Sequence, residues 1–578
     1  MLPTTSFRRA TFAVQKQQMK YIIVGAVAGG ASTAARLRRM DEHAEIVIFE
    51  KGEYISYANC GLPYYIGNVI KDRNKLFVQT ATSFNRRFNI DVRVRNEVTA
   101  IDPIRKTISA TDLNTGRTYE ESYDKLVLSP GAEPIRPPLP GIDLPGIFTL
   151  RNVTDTDYIK AYVDHHKSGR AVVVGGGFIG LEMAENLHHL GMHVSIIEMG
   201  AQILAPVDYA MAALVQKHIR SKGVDLKLNS TVAGFEKAGE HLKVVLKSGE
   251  TIDAEVVILS IGVRPDTKLA LNAGLKLGAA KGIYVNEFLQ TSDPDIYAVG
   301  DAIEFTNPIT GNSMNTYLAG PANKQGRICA NNIVLGNKTP YHGAINTAIV
   351  KVFDMTVGAA GVASKHLTAA HIDHIVSTTH SGSHAGYYPG AEQMSIQIAF
   401  APETGRLLGA QVAGYHGADK RLDILSHLIQ TKGRIYDLVE FEHAYAPPYS
   451  SAKDPVNMAG FVAENIILER MVPAYWSDVA TMSDTDVLID VRTPQEFEKG
   501  SIPGAINIPV DDLRGRLEEL PTDKKIYVFC QVGLRGYLAQ RILMQNGFSK
   551  VRNISGGYTT WSACDAEQKH MPQMINAI

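Results

Sequence analysis

The sequence predicts an α/β protein organised around a duplicated strand, glycine turn, helix and strand, and three observations carry that expectation. Tyr21-Ile22-Ile23-Val24-Gly25-Ala26-Val27-Ala28-Gly29-Gly30 opens a helical stretch to Arg39, and Glu45 to Glu50 reads as the next strand. Ala171-Val172-Val173-Val174-Gly175-Gly176-Gly177-Phe178-Ile179-Gly180 repeats the arrangement and closes on the strand His193 to Glu198. After Val472-Pro473-Ala474-Tyr475-Trp476 the chain restarts as a small α/β unit, with strands Leu488 to Arg492 and Lys525 to Cys530. At 578 residues there is room for several domains of roughly 100–200 residues each.

In each duplicated unit the glycines have separate duties. The first makes the tight turn, the second lets backbone approach a pyrophosphate, and the third lets the helix pack on the strand with its N-terminus toward the phosphates. The second unit has all three, Gly175, Gly177 and Gly180; the first has Gly25, Gly29 and Gly30 but places Val27 in the middle position. Glu50 and Glu198 end the paired strands, where a carboxylate accepts hydrogen bonds from a ribose. These are two dinucleotide sites. Glu198 favours NADH over its 2′-phosphorylated counterpart, which a carboxylate repels. Val127 to Ala132 and Val257 to Pro265 read as strands closing on small-residue turns. Ile296 to Asp301 delivers an acid to a turn, where it can meet a polyol hydroxyl.

Between the two units lies a solitary thiol, in Ser56-Tyr57-Ala58-Asn59-Cys60-Gly61-Leu62-Pro63-Tyr64-Tyr65. With no second cysteine nearby, its oxidised form is a mixed disulfide, a persulfide or a sulfenic acid. Pro63 suggests a helix starting just after Cys60, whose dipole is expected to help draw the thiol pKa below the ~8.5 of free cysteine. Residues 345–467 lack a phosphate turn. Strands at Ala348 to Phe353, Met394 to Phe400 and Leu407 to Val412, then a helix from Asp419 to Gln430, suggest an α+β interface unit. In the last unit Glu496-Phe497 is expected to begin a helix. The turn Cys530 to Arg535 can form a nest of backbone N–H groups around an anion, with Arg535 adding positive charge.

Composition narrows the classes. With 45% hydrophobic and 20% charged residues and a formal net charge of −1, the chain has a soluble globular composition and no general surface for nucleic acid or anionic membrane. No apolar run approaches the ~20 residues of a membrane span. Cys60, Cys329, Cys530 and Cys564 do not make a disulfide framework, and a reducing, cytoplasmic compartment is expected. Cys329 reads as core, and Cys564 carries no motif. No HExxH or paired CxxC spacing occurs, so no metal site is indicated. Residues 1–19 carry Arg8, Arg9 and Lys16 without an apolar signal region and read as a leader or disordered extension.

From residue 20 to about 467 the chain resembles the FAD- and NAD(P)H-dependent pyridine nucleotide–disulfide oxidoreductases, within them the single-cysteine coenzyme A-disulfide reductases. The matching segments are Asn59 to Tyr65, His384 to Gly390, Gly417 to Arg421 and Tyr445 to Asp454. From about 476 to 564 it resembles a rhodanese domain, through Asp490-Val491-Arg492, Gly504 to Pro509 and Cys530 to Gly536. The joined arrangement is similar to fusions described as coenzyme A-disulfide reductases or NADH-dependent persulfide reductases.

That resemblance implies two Rossmann-like domains, for FAD (20–148 and 275–344) and NADH (149–274), an α+β dimerisation domain (345–467), a linker (468–475) and a C-terminal α/β rhodanese domain (476–578). It implies a homodimer with shared active sites. Cys60 would be the flavin-facing nucleophile, with Tyr387 and Tyr445 arriving from the partner subunit as proton or hydrogen-bond donors. Ser32, Arg36, Arg39, Ser56, Asn59 and Lys453 would line a coenzyme A site, although a family lysine there corresponds to Phe88. Cys530, aided by Arg535, would carry sulfane sulfur. The substrates implied are persulfides, polysulfides and coenzyme A disulfide or persulfide. An NADH oxidase or peroxidase cycling Cys60 through sulfenic acid is the first alternative; Val27 and Ala28 stand where such enzymes usually carry a histidine. A non-catalytic sulfur-relay or redox-sensing protein is the second.

Overall fold

The computed structural model describes residues 18–570, so the leader expected at 1–19 lies almost wholly outside the described residues. Lys20–Val24 is the central strand of a five-stranded parallel sheet, ordered Ile296–Ala298, Lys125–Leu128, Lys20–Val24, Glu45–Glu50, Asp91–Val94. Its strands are continuous apolar runs because both faces are covered; Ile22 and Ile23 are fully buried. The second parallel sheet runs Asp225–Lys227, His193–Ile197, Arg170–Val174, Val256–Leu259, Ile147–Phe148. By pairing, Ile147–Phe148 belongs to this second sheet. Each unit also carries a three-stranded antiparallel sheet, Asn96–Asp102 to Thr118–Ser122 in the first and Val232–Ala238 to Thr251–Ala254 in the second.

The thiol segment crosses between these units. Cys60 lies in the turn Asn59–Gly61, ahead of the short helix Leu62–Ile66. Leu62 and Ile66 are buried in the core that holds Leu181, Ala184 and Leu187 of the helix Phe178–His189. A Cβ on Gly67 would fall 2.1 Å from Asn186 Oδ1, so only glycine allows this approach. Apolar packing against the second unit therefore sets where Cys60 stands.

The third unit is an antiparallel sheet ordered Ala348–Val352, Met355–Gly361, Leu407–Gly414, Gln393–Phe400, Ile375–Gly382. The helices Ala418–Gln430 and Pro455–Ile467 pack on it. Two of its strands escape sequence reading for physical reasons. Met355–Gly361 is glycine- and alanine-rich without alternation, and Ile375–Gly382 is polar because Thr378 and His380 are buried against the last unit. Asp208 joins the second and third units: its carboxylate accepts from Gln397 Nε2 at 2.8 Å, Gln411 Nε2 at 2.6 Å, and the backbone N–H groups of Ser364 and Lys365.

The last unit is a parallel sheet ordered Pro473–Ala474, Val551–Ile554, Ile526–Phe529, Val487–Asp490, Ile506–Asn507. Its first strand comes from the stretch expected to be linker. Pro473 cannot donate to a ladder, and the strand is accordingly an edge. The helix expected to begin at Glu496-Phe497 begins at Pro494, capped by Thr493. This unit is fastened to the rest of the chain. The helix Gly557–Lys569 packs on Tyr209–Ser221 of the second unit, where Glu567 accepts from Arg220 Nε at 3.1 Å and Gln216 Nε2 at 3.1 Å. His380 hydrogen-bonds Ser395 Oγ at 2.7 Å and Thr560 Oγ1 at 2.8 Å. Among the described residues, no helix is long and apolar enough to cross a membrane.

Candidate active sites

The two glycine turns are built alike. Gly25 has φ +95°, and a Cβ there would lie 2.1 Å from the Ser129 carbonyl oxygen; Gly175 has φ +107°, and a Cβ there would lie 2.4 Å from that of Ser260. A Cβ on Gly30 would strike Gly25 O at 1.9 Å, and one on Gly180 would strike Gly175 O at 2.0 Å, the close helix–strand contact of a dinucleotide turn. Glu50 accepts from Ala26 N at 2.9 Å and Gly52 N at 2.8 Å. Glu198 accepts from Gly176 N at 2.8 Å and Gly200 N at 2.7 Å. Gly177 faces open space, with no heavy atom within 4 Å of an added Cβ, which leaves room for a pyrophosphate. Gly29 is more enclosed: a Cβ there would lie 2.9 Å from Ser129 Oγ and from the Val299 side chain.

One cavity of about 520 Å³ runs past Gly25, Gly29, Glu50, Asn59, Cys60, Arg151 and Asp301. The residues fit an extended dinucleotide such as FAD. Glu50 stands at the nucleoside end and Cys60 in the same space. Asp301, in the turn Gly300–Ala302, is held by burial at a pKa of about 6, and Arg151 is the one charge opposing that rise. Among the described residues no hydrogen bond stabilises its charged form, as the hydroxyls of a polyol would.

Cys60 opens onto this cavity, but its thiol is pushed up from the ordinary value rather than drawn down. The cause is burial of the sulfur by surrounding protein, followed by the carboxylates of Glu182 and Asp301. This corrects the expectation of a dipole-lowered thiol: the following helix has only five residues, and burial, then the two acids, raise the pKa. Glu182 is a residue that sequence reasoning missed. It sits on the helix Phe178–His189, accepts from Tyr64 Oη at 3.3 Å, and is raised by burial to a pKa of about 7. Its signal was present, an acid one turn into the helix after a glycine turn, but nothing local says which helix faces Cys60.

Ser32, Arg36 and Arg39 share the helix Ala28–Met40. Ser32 Oγ hydrogen-bonds Asn323, and Arg36 Nε donates to Asn331 Oδ1 at 3.1 Å, both on the helix Ala319–Leu335. Burial and then the charges of Arg327 and Arg39 lower the Arg36 pKa, so this face gathers cations. Ser56 adopts a left-handed φ of 44° beside the first turn, its N–H donating to Ala26 O at 2.8 Å. Phe88 packs on Phe84 with ring centroids 4.8 Å apart. Lys453, Tyr387 and Tyr445 lie on the third unit and do not line the Cys60 cavity of their own chain. The two tyrosine hydroxyls hydrogen-bond each other at 2.9 Å, and both side chains are exposed, Tyr387 by 76%.

Cys530 ends the strand Ile526–Phe529 and is buried. Of the loop N–H groups, Gly533, with φ +113°, reaches the sulfur at 3.1 Å. Arg492, paired with buried Asp490 at 2.7 Å, donates to Gln531 Oε1 at 3.1 Å and so braces the loop from behind. Arg535 grips Glu496 through two hydrogen bonds of 2.7 Å each, and that acid first, then the Cys530 sulfur, raise its pKa. Cys329 and Cys564 are fully buried. Among the described residues, no cluster of three or more His, Cys, Asp or Glu forms a metal site.

Two dinucleotide turns, a thiol in the first cavity and a separate thiol-bearing α/β unit define a disulfide- or persulfide-type oxidoreductase. The chain belongs to the pyridine nucleotide-disulphide oxidoreductase family, whose model matches residues 19–326. That family implies FAD and NAD(H). The family's dimerisation domain matches 347–455, and a rhodanese-like domain matches 476–564. The coenzyme A disulfide reductase of Staphylococcus haemolyticus is 37% identical over 447 residues, covering 77% of this chain and all of that one. The crystal structure of reduced Bacillus anthracis CoADR-RHD superposes with a TM-score of 0.93 at 48% identity, covering 95% of this chain and 99% of the other. The NAD-dependent persulfide reductase of A. fulgidus gives a TM-score of 0.88 at 37% identity, covering 94% and 100%.

Proposed function

We propose that this chain uses NADH to reduce persulfides, polysulfides, or coenzyme A disulfide and persulfide through Cys60, while Cys530 carries sulfane sulfur. The observation that carries the reading is that Cys60 shares one cavity with Gly25, Glu50 and Asp301. Bound FAD would supply the two-electron relay between NADH and sulfur. Gly25, Gly29, Gly30, Glu50 and Asp301 hold the flavin nucleotide; Gly175, Gly177, Gly180 and Glu198 hold NADH. The Cys60 thiolate attacks the R-bearing sulfur of R–S–SH, hydrosulfide leaves, and a Cys60–S–S–R mixed disulfide forms. Two electrons and a proton then release R–SH and restore the Cys60 thiolate. Ser32, Arg36, Arg39, Ser56, Asn59 and Lys453 bind a coenzyme A moiety, with the cationic helix face toward its phosphates. Tyr387 and Tyr445 of the partner subunit give hydrogen bonds to the departing sulfur. The working form is a homodimer, in a cytoplasm that keeps its thiols reduced.

Anaerobic NADH oxidation with alkyl persulfide, coenzyme A disulfide, peroxide and oxygen in turn tests this. Persulfide should drive NADH oxidation with sulfide release, and Cys60→Ser should abolish it. Full persulfide-dependent turnover in that variant refutes the mechanism, and activity with oxygen or peroxide alone makes the chain an oxidase or peroxidase.

A further inference from the structure

Charge around Cys530 is arranged in closed pairs. Arg535 is the cation whose charge is coupled to the sulfur, and both of its terminal nitrogens are bonded to Glu496 at 2.7 Å. The partnership is strong enough to hold Glu496 at a pKa of about 2, so the acid is ionised wherever the protein works. Arg492, behind the loop, is bonded to Asp490 through both Nε and Nη2. Glu496 is itself fixed by its helix start, where its carboxylate accepts from Thr493 N at 3.0 Å. Leu534, inside the turn, is 58% exposed, and Leu538, one helical turn on, is 46% exposed. Leu534 and Leu538 thus offer aliphatic surface beside the turn, and the two arginines bonded to this loop and its neighbours, Arg535 and Arg492, are each paired with an acid. Once Cys530 is a thiolate, the local balance is negative.

We infer that Glu496 is a specificity-determining positioning residue, which neutralises Arg535 and makes the Cys530 site select organic persulfides over dianionic donors such as thiosulfate. The inference rests on reading Cys530 as the sulfur carrier. Loading is then a sulfur transfer with no net oxidation. The Cys530 thiolate attacks the outer sulfur of R–S–SH, the donor S–S bond breaks, an S–S bond to Sγ forms, and R–S⁻ leaves. With thiosulfate the same bond change expels sulfite. Bringing the thiosulfate dianion to a thiolate whose guanidinium is already compensated costs more than bringing a persulfide, which carries at most one negative charge.

The test uses the full-length holoenzyme without NADH. Cyanide is the acceptor, thiocyanate is measured, and the Cys530→Ser background is subtracted. Thiosulfate and 2-hydroxyethyl persulfide are the two donors. Glu496→Gln keeps the helix cap but removes the charge; it should raise the thiosulfate-to-persulfide ratio of kcat/KM about fivefold or more. Glu496→Asp should restore the wild-type ratio to within about twofold. Added salt should speed thiosulfate turnover in the wild type by screening repulsion and lose that effect in Glu496→Gln. An unchanged ratio, or an equal loss with both donors, overturns the inference and leaves the carrier reading standing. No transfer from either donor removes the carrier reading and this inference together.

Discussion

Cys60 presents a conflict between its task and its surroundings. Nucleophilic attack needs a thiolate, yet burial, Glu182 and Asp301 all favour the thiol. Cysteines with depressed pKa sit beside cations or long helix dipoles, whereas the charges that act on this one are the acids Glu182 and Asp301 and the helix after it has five residues. Glu182 is the part of that environment a single substitution can remove. Its pKa of about 7 means that it becomes charged above neutrality, where it opposes the thiolate, and carries little charge below. Glu182→Gln keeps an acceptor for Tyr64 and deletes the charge. The expected outcome is a lower midpoint in the pH dependence of Cys60 alkylation by iodoacetamide, with the two proteins converging below pH 7. A midpoint that stays put or rises shows that the carboxylate does not act on the sulfur.

The segments most legible in the sequence are those whose logic is local. Gly25, Gly30, Gly175 and Gly180 announce their turns because a Cβ would collide within a few residues or with the adjoining strand, and Glu50 and Glu198 end strands that pair beside them. What the sequence hides is fixed by contacts far apart in the chain. The strand Ile375–Gly382 looks too polar for a core because its outer face is a docking surface, and Glu496 hides as an ordinary helix cap. His380 shows what that docking demands. It is buried between Ser395 and Thr560, and burial lowers its pKa to about 4 from the ordinary 6.5. Above about pH 6.5 the ring is neutral in folded and unfolded chains, and its full contribution is present. As pH falls from 6.5 toward 4 the unfolded chain takes up the proton first, and up to about 3 kcal/mol is lost. Differential scanning calorimetry between pH 7 and 4.5 should therefore show a steeper loss of stability in the wild type than in His380→Asn. Parallel curves would mean that the ring does not stay neutral in the folded chain.

The assembled chain leaves its two tyrosines stranded. Tyr387 and Tyr445 hydrogen-bond each other on the surface of the third unit, which matches the family's dimerisation domain, and neither reaches the cavity of Cys60 in its own chain. Exposed aromatics with paired hydroxyls suit a C2 interface, in which a residue that one chain presents completes a site on the other. Mixed dimers separate sharing from independence. If a chain carrying Cys60→Ser is paired with one carrying Tyr387→Phe and Tyr445→Phe, a trans arrangement makes one site doubly defective and one fully intact. Such a heterodimer should show about half the wild-type rate of persulfide-dependent NADH oxidation, although each homodimer is impaired. A cis arrangement gives no intact site, since every thiol then faces substituted tyrosines or is itself missing. The heterodimer would then stay at or below the mean of the two impaired homodimers, and the assignment of the tyrosines to the partner's site would be refuted.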